Sequence, residues 1–169
     1  MDIKTYKKDA EYSYTLGAFP TIELLKTRPK EVLEVYVHST FTDTETIEKL
    51  AKPYGIPVLR QDKVINKLSD KENCFVVGIL KKYQDVLQAD KSHVVLVNPS
   101  NMGNMGTIIR TAIGFGIKNL AIISPGVDVF HPKPSVHPWE PCSVLTASIL
   151  KALKNMRLLI LSMKSSVLC

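Results

Sequence analysis

Apolar and polar positions change period repeatedly along the chain, and each change marks an expected element. Ile22, Leu24 and Leu25 carry a short helix that Pro29 bounds. From Val32 to Val37 apolar residues alternate with charged ones, which predicts a strand with one wet face. Thr44 to Ala51 has helical spacing, with Thr44 or Thr46 placed to cap it. Tyr54 to Leu59 turns through Gly55 and Pro57 into another strand, and Val64 to Leu68 reads as a short helix. Phe75 to Leu80 is a last strand, in which Gly78 predicts a bulge or a close backbone approach. This alternation gives residues 1–88 a small mixed α/β domain, and the polar run from Lys82 to Lys91 a linker.

A denser pattern follows. Val94 to Val97 is a β-branched apolar run of the kind that becomes a buried parallel strand. It breaks at Asn98-Pro99, and a polar, glycine-bearing loop is expected from Ser100 to Gly106. Ile108, Ile109, Ala112, Ile113 and Phe115 then lie on or near one helical face, Gly114 and Gly116 end the helix, and Leu120 to Ile123 is the next buried strand. Strand, glycine loop, helix and strand make a right-handed βαβ unit, whose first loop is where such sheets bind ligands.

Three chemistries fit a glycine loop in that place. A dinucleotide fold asks for G-x-G-x-x-G, but Asn101 stands where the first glycine belongs, and the acidic ribose ligand expected about 20 residues on is missing, the only acid nearby being Asp128. A KH-type RNA module clamps a backbone with G-x-x-G, which Gly103 to Gly106 imitates, but that loop joins two helices. The run N-P-S-N-M-G-N-M-G-T-I-I-R-T-A, residues 98–112, closely resembles the first motif of the SpoU/TrmH RNA 2′-O-ribose methyltransferases, members of the knotted SPOUT superfamily. Asn104, Gly106, Arg110 and Ala112 stand at that family's spacing.

The resemblance implies a truncated Rossmann-like SPOUT (α/β knot) domain over residues 89–169 and S-adenosylmethionine as methyl donor. It makes Arg110 the central catalytic residue and gives Asn104 the task of positioning Arg110 or the ribose. Asn101, Gly103 and Gly106 would meet the RNA, the glycines by permitting close backbone approach. Read from the residues alone, Arg110 is also compatible with an ordinary helix-face cation, and Asn104 with a turn or cap before Thr107. In position and pattern the first half resembles the RNA-binding domain that many TrmH-type enzymes carry, which is similar to small ribosomal proteins that bind kinked RNA. Lys26 and Arg28, with Lys30, form its best basic cluster and are the expected RNA contacts there; a solvated face is the other reading.

Bulk properties sharpen this only modestly. The net charge of +6 favours an anionic partner such as ribosomal or transfer RNA. Residues 1–92 contribute little of it, with 15 Lys and Arg against 14 Asp and Glu. Cys74, Cys142 and Cys169 have no metal-ligand spacing and suggest a reducing compartment. His93, His131 and His137 show no ligand spacing either, so no metal is expected, and Trp139 has no aromatic neighbour for base stacking. The N-terminus lacks a signal-peptide core and nothing approaches a membrane span, so a cytoplasmic protein is expected.

After Lys133 the family pattern stops. The family continues with a segment like Ile-Arg-Ala-Ser-Met-Gly-Ala-Leu-Phe, whereas Pro134 to Ser143 reads PSVHPWEPCS. Those ten residues can be encoded so that skipping two bases yields the family segment, which suggests a shift of reading frame near Pro134. The family's G-x-E-type glycine loop and N-x-S-type turn, which bind S-adenosylmethionine and build the C-terminal knot, are absent. In the tail, Leu145, Ile149, Leu153, Met156, Ile160 and Met163 recur at steps of three or four, predicting a basic amphipathic helix. Such a helix would pack on the sheet, join two copies into a homodimer or lie on an acidic membrane. The reading is therefore an RNA 2′-O-ribose methyltransferase impaired in cofactor binding. Its alternatives are a non-catalytic RNA-binding module and an interaction protein working through the tail.

Overall fold

The computed structural model describes residues 3–88, 90–123 and 125–132, together with the backbone of 146–150. They fall into two units, one of residues 3–83 and 129–132, the other of the remainder. The break thus lies at 83/84, slightly before the expected linker ends, and residues 129–132 join the first unit although the sequence assigns them to the second.

The first unit is a four-stranded mixed sheet with strand order β1-β4-β2-β3. Its elements are β1 (Tyr12–Leu16), α1 (Ala18–Thr27), β2 (Val32–Val37), α2 (Thr44–Ala51), β3 (Val58–Arg60), α3 (Asp62–Leu68) and β4 (Val76–Lys81). β4 runs antiparallel to β1 and β2, while β2 and β3 are parallel. Val35, Val37, Ile47, Ile65, Val77, Ile79 and Leu80 are completely or almost completely buried and form the core. The helix expected near Ile22 is longer than the pattern indicates. It starts behind Gly17, at φ +117°, and takes Pro20 into its first turn, where a missing N–H costs nothing.

β1 has no counterpart in the sequence reading: Tyr14 packs into the apolar core with Tyr12 and Leu16 against it, while the alternate residues are polar and yet also buried. Ser13 and Thr15 are buried, and each is satisfied: Ser13 Oγ donates to the Phe130 carbonyl, and Thr15 Oγ1 shares a 2.7 Å hydrogen bond with Thr21 Oγ1. Thr15 Oγ1 also accepts from the Gly78 N–H at 3.1 Å. A Cβ on Gly78 would lie 2.9 Å from both Thr15 Oγ1 and Thr21 Cγ2. The close approach expected at this glycine is present, and α1 depends on it.

β2 corrects the one-wet-face expectation. Leu33 is exposed while Glu34 is buried, because the register with β4 shifts between Val32 and Glu34 and turns the side chains over. The buried Glu34 carboxylate accepts from Tyr36 Oη at 2.8 Å. Burial, reinforced by that carboxylate, pushes the Tyr36 phenol up to about 12.

The second unit holds a parallel sheet, β5 (His93–Val97), β6 (Asn119–Ile123) and β7 (Thr146–Leu150), in that order, with α4 (Met102–Gly114) between the first two strands. All five residues of β6 are buried, as expected for a central strand. β5 is not the buried strand that its composition suggests: it is an outer strand of the sheet among the described residues, and Val95 and Val97 are 41% and 58% exposed. β7 corrects the start of the tail helix. Residues 146–150 pair in parallel with β6, and that ladder outweighs a stretch of three-and-four spacing too short to exclude a strand. The rest of that stripe, and Trp139, His137 and Cys142, lie outside the described residues.

Candidate active site and nucleic-acid interface

The carboxyl ends of β5 and β6 meet in a shallow cleft of about 350 Å³, lined by Asn98, Pro99, Ser100, Pro125, Gly126 and Val127. Asn98 leaves β5 in the left-handed region at φ +49°, a conformation asparagine tolerates better than other side chains. Its N–H donates to the Ile123 carbonyl at 3.1 Å, and the Val127 N–H donates to the Pro99 carbonyl at 2.7 Å, so the two loops are tied together. Gly126 is needed for that fit, since a Cβ there would stand 3.1 Å from Pro99 Cδ.

The loop after β5 is shorter than expected. It ends at Asn101, whose Oδ1 accepts from the Asn104 N–H at 2.9 Å and caps α4. Gly103 and Gly106 therefore lie inside the helix, not in the loop. Gly106 is buried with Met105, Ile109 and Ala112, so the backbone approach to RNA expected of it has no exposed surface to act through. Gly103 is partly exposed in the first turn. The same placement removes the KH-type reading, because G-x-x-G here follows a strand and joins no two helices. The predicted apolar face is also narrower than expected: Ile109 and Ala112 are buried, while Ile108 and Phe115 are exposed.

Asn104, Thr107 and Arg110 line the solvent side of α4 at successive steps of three. Arg110 lies six positions after Asn104, about 9 Å along the axis and about 120° around it. The two sequence-predicted catalytic side chains are thus not direct neighbours; Thr107 lies between them. Arg110 Nη2 donates to Thr107 Oγ1 at 3.3 Å, and Thr107 Oγ1 donates to the Gly103 carbonyl at 3.1 Å. The sequence reading did not single out Thr107. Its signal is the i,i+3 step to an arginine, which becomes meaningful only once the helix start is known.

A second basic site belongs to the first unit. Lys26, Arg28, Lys30, Glu31 and Tyr54 line a cleft of about 400 Å³. Lys26 pairs with Glu23 at 3.0 Å on the surface of α1, and the Arg28 guanidinium lies 4.8 Å over the Tyr83 ring.

S-adenosylmethionine needs partners for a carboxylate, an ammonium, a ribose and an adenine. Among the described residues lining the cleft between β5 and β6, the only side-chain polar groups are those of Asn98 and Ser100, and two of the loop N–H groups are already spent. This lining does not fit the cofactor. No group of three or more His, Cys, Asp or Glu suited to a metal occurs among the described residues, and no described helix is long and apolar enough to cross a membrane.

No protein-family model matches this sequence, and no curated protein matches it either. Solved structures do. The SpoU methyltransferase AviRb from Streptomyces viridochromogenes, in complex with the cofactor AdoMet, superimposes with a TM-score of 0.74 at 16% identity, over 93% of this chain and 62% of its own. An rRNA methyltransferase from Sinorhizobium meliloti gives 0.70 at 19%, over 87% and 57%. A further structure, described as an RNA 2′-O ribose methyltransferase, gives 0.60 at 17%, over 90% and 60%. This chain therefore has the fold of the SpoU methyltransferases and spans about three fifths of their length.

Proposed function

We propose that the chain is the RNA-binding and ribose-positioning part of a TrmH/SpoU-type RNA 2′-O-ribose methyltransferase, acting on ribosomal or transfer RNA. One observation carries the reading. The run from Asn98 to Ala112 occupies the carboxyl end of a parallel strand and the first turns of the next helix, in a fold shared with RNA methyltransferases. That is where open α/β sheets bind their ligands. In this reading S-adenosylmethionine would supply the methyl group, although the described lining between β5 and β6 does not fit it. The site is cytoplasmic, the partner is RNA, and two copies associate as a homodimer.

A ribose 2′-hydroxyl is a poor nucleophile and must be held in line at near-attack distance while it loses its proton. Arginine stays protonated in proteins, so Arg110 serves best by gripping a substrate phosphate and stabilising the developing alkoxide. Thr107 holds the guanidinium against the first turn of α4, and the exposed Asn104 amide is free to bond the ribose. Asn101 shapes the turn before the helix, where the positive end of the helix dipole favours a phosphate. Lys26 and Arg28 bind RNA backbone at the first unit.

Two titrations test the proposal on the 169-residue chain. RNA should bind with strong salt dependence. S-adenosylmethionine should show no saturable heat, since the family's glycine loop and N-x-S turn are missing from the sequence. Saturable binding of one cofactor per chain would overturn the incomplete pocket; failure to bind RNA would overturn the function itself. A non-catalytic RNA-binding module is the second reading, favoured by the sparse polar lining between β5 and β6.

A further inference from the structure

In the first unit, Tyr54 is 54% exposed, although an aromatic ring of this size ordinarily contributes by being buried. Its exposure is not that of a loose side chain. Tyr54 ends a 3-10 turn, Lys52–Tyr54, that Pro53 stiffens and Gly55 closes at φ +67°. The Gly55 N–H donates to the Lys52 carbonyl at 3.1 Å and the Ile56 N–H to the Ala51 carbonyl at 3.2 Å. The ring is thus displayed from a fixed backbone, on the wall of the cleft that also takes Lys26, Arg28 and Lys30.

We propose that this cleft seats an unstacked base of single-stranded RNA, with Tyr54 as its stacking platform and the three cations on the flanking phosphates. The inference rests on the RNA reading above and adds a residue and a strand preference to it. Stacking plus a cationic rim is how single strands are held without sequence readout. The cations are suited to the task. Lys30 is exposed and has no ion pair among the described residues, and Lys26 carries only a surface pair with Glu23, which a phosphate can displace at little cost. The stack of Arg28 on Tyr83 fixes the plane of its guanidinium. Glu31, in the same lining, argues against a bare phosphate or an acidic peptide, but a carboxylate can accept from the amino group of a base. At about 400 Å³ the cleft is in the size range of small-ligand sites. A duplex keeps its bases stacked and gives Tyr54 nothing to hold.

The test is fluorescence anisotropy with a labelled single-stranded RNA of about 12 nucleotides and the matching duplex, titrated with the full chain. Tyr54→Ala should weaken single-strand binding by about 10-fold, Tyr54→Phe should leave it unchanged, and duplex binding should not respond to either. Lys26→Ala with Lys30→Ala should lower the single-strand salt slope by about 1.4. Equal affinity of Tyr54→Ala and the wild type, or equal loss on duplex and single strand, would overturn the stacking site while leaving the RNA reading intact. Wild-type protein that binds neither RNA would overturn both. Absence of methyl transfer bears on the catalytic reading alone and leaves these affinities unchanged.

Discussion

Arg110 folds back one turn of α4 to donate from Nη2 to Thr107 Oγ1 at 3.3 Å, and the same hydroxyl donates to the Gly103 carbonyl. The guanidinium is therefore referenced to the first turn of the helix, the end nearest the loop after β5. In a fusion that supplies the C-terminal region of a full-length relative, Arg110→Ala should lower single-turnover methyl transfer by about 100-fold or more. RNA affinity should fall by no more than about 10-fold, the loss of one phosphate contact among many. Thr107→Val should lower the rate by about 10-fold with unchanged RNA affinity, as expected of a positioning residue. Equal rates for wild type and Thr107→Val would remove Thr107 from the site.

Asn101 makes a separate prediction about the same helix. Its Oδ1 satisfies the Asn104 N–H, so Asn101→Ala should cost about 1 kcal/mol in stability. Amide exchange at Asn104 should speed up by about 5-fold, while the amides of Ile109 and Ala112, deeper in the helix, stay protected. Asn101→Asp, which keeps the acceptor, should restore the wild-type exchange.

The motif that names the site was readable because Asn98, Pro99, Asn101 and the glycines are punctuation that survives without knowledge of the fold. Its internal wiring was not. Gly103 and Gly106 look like loop residues, and only the cap at Asn101 reveals that the helix has already begun. β1 went unread although Tyr12, Tyr14 and Leu16 alternate toward the apolar core; on its other side Ser13 and Thr15 are buried, which pattern reading scores as solvent-facing. Leu33 and Glu34 exchange their expected sides through a register shift, a property of the β2–β4 pair and not of either strand. Val95 and Val97 share one face of β5 and that face is exposed, and the strand at 146–150 exists by pairing with β6. Tyr54 joins Lys26 and Arg28 in one cleft although they are far apart in sequence, which no local pattern encodes.

Gly78 offers a direct test of the first unit's packing. Thr15 Oγ1 and Thr21 Cγ2 both stand 2.9 Å from where a methyl group on Gly78 would lie, so Gly78→Ala must displace α1 or break the buried threonine pair. The expected loss is about 1–3 kcal/mol, read as a lower urea midpoint. Removing one of the two obstacles with Thr21→Ser in the same chain should recover part of it. A Gly78→Ala protein as stable as the wild type would mean that the contact relaxes freely.

The alkaline limb of stability should report Tyr36. Its phenol ionises near 10.0 when unfolded but is held up to about 12 in the fold, mainly by burial and then by the Glu34 carboxylate. Between those values the unfolded chain has lost a proton that the folded chain retains, so stability falls as pH rises from about 10 to about 12. Tyr36→Phe should flatten that limb, at the expense of a buried Glu34 carboxylate deprived of the phenol's hydrogen bond at neutral pH. Denaturant midpoints at a series of pH values measure both effects at once.

The acid limb should report Asp62, at the start of α3. Its Oδ2 accepts from Ser39 Oγ at 2.6 Å and its Oδ1 from the Ser39 N–H at 2.7 Å, and these bonds hold the carboxyl below its ordinary 3.8. His38 Nε2, 3.6 Å from Oδ2, adds attraction when protonated. A carboxyl depressed in the folded state binds protons first in the unfolded chain. Its contribution is therefore complete above the unfolded value near 3.8 and is lost as pH falls below it through the folded value. Asp62→Asn should lower the midpoint at pH 7 and make it less sensitive to acid below about pH 4, so that wild type and variant converge. Ser39→Ala, which removes the bond to Oδ2 but keeps the backbone bond to Oδ1, should give an intermediate curve. Parallel curves for wild type and Asp62→Asn down to acid unfolding would show that this tie between the loop after β2 and α3 carries no pH-dependent stability.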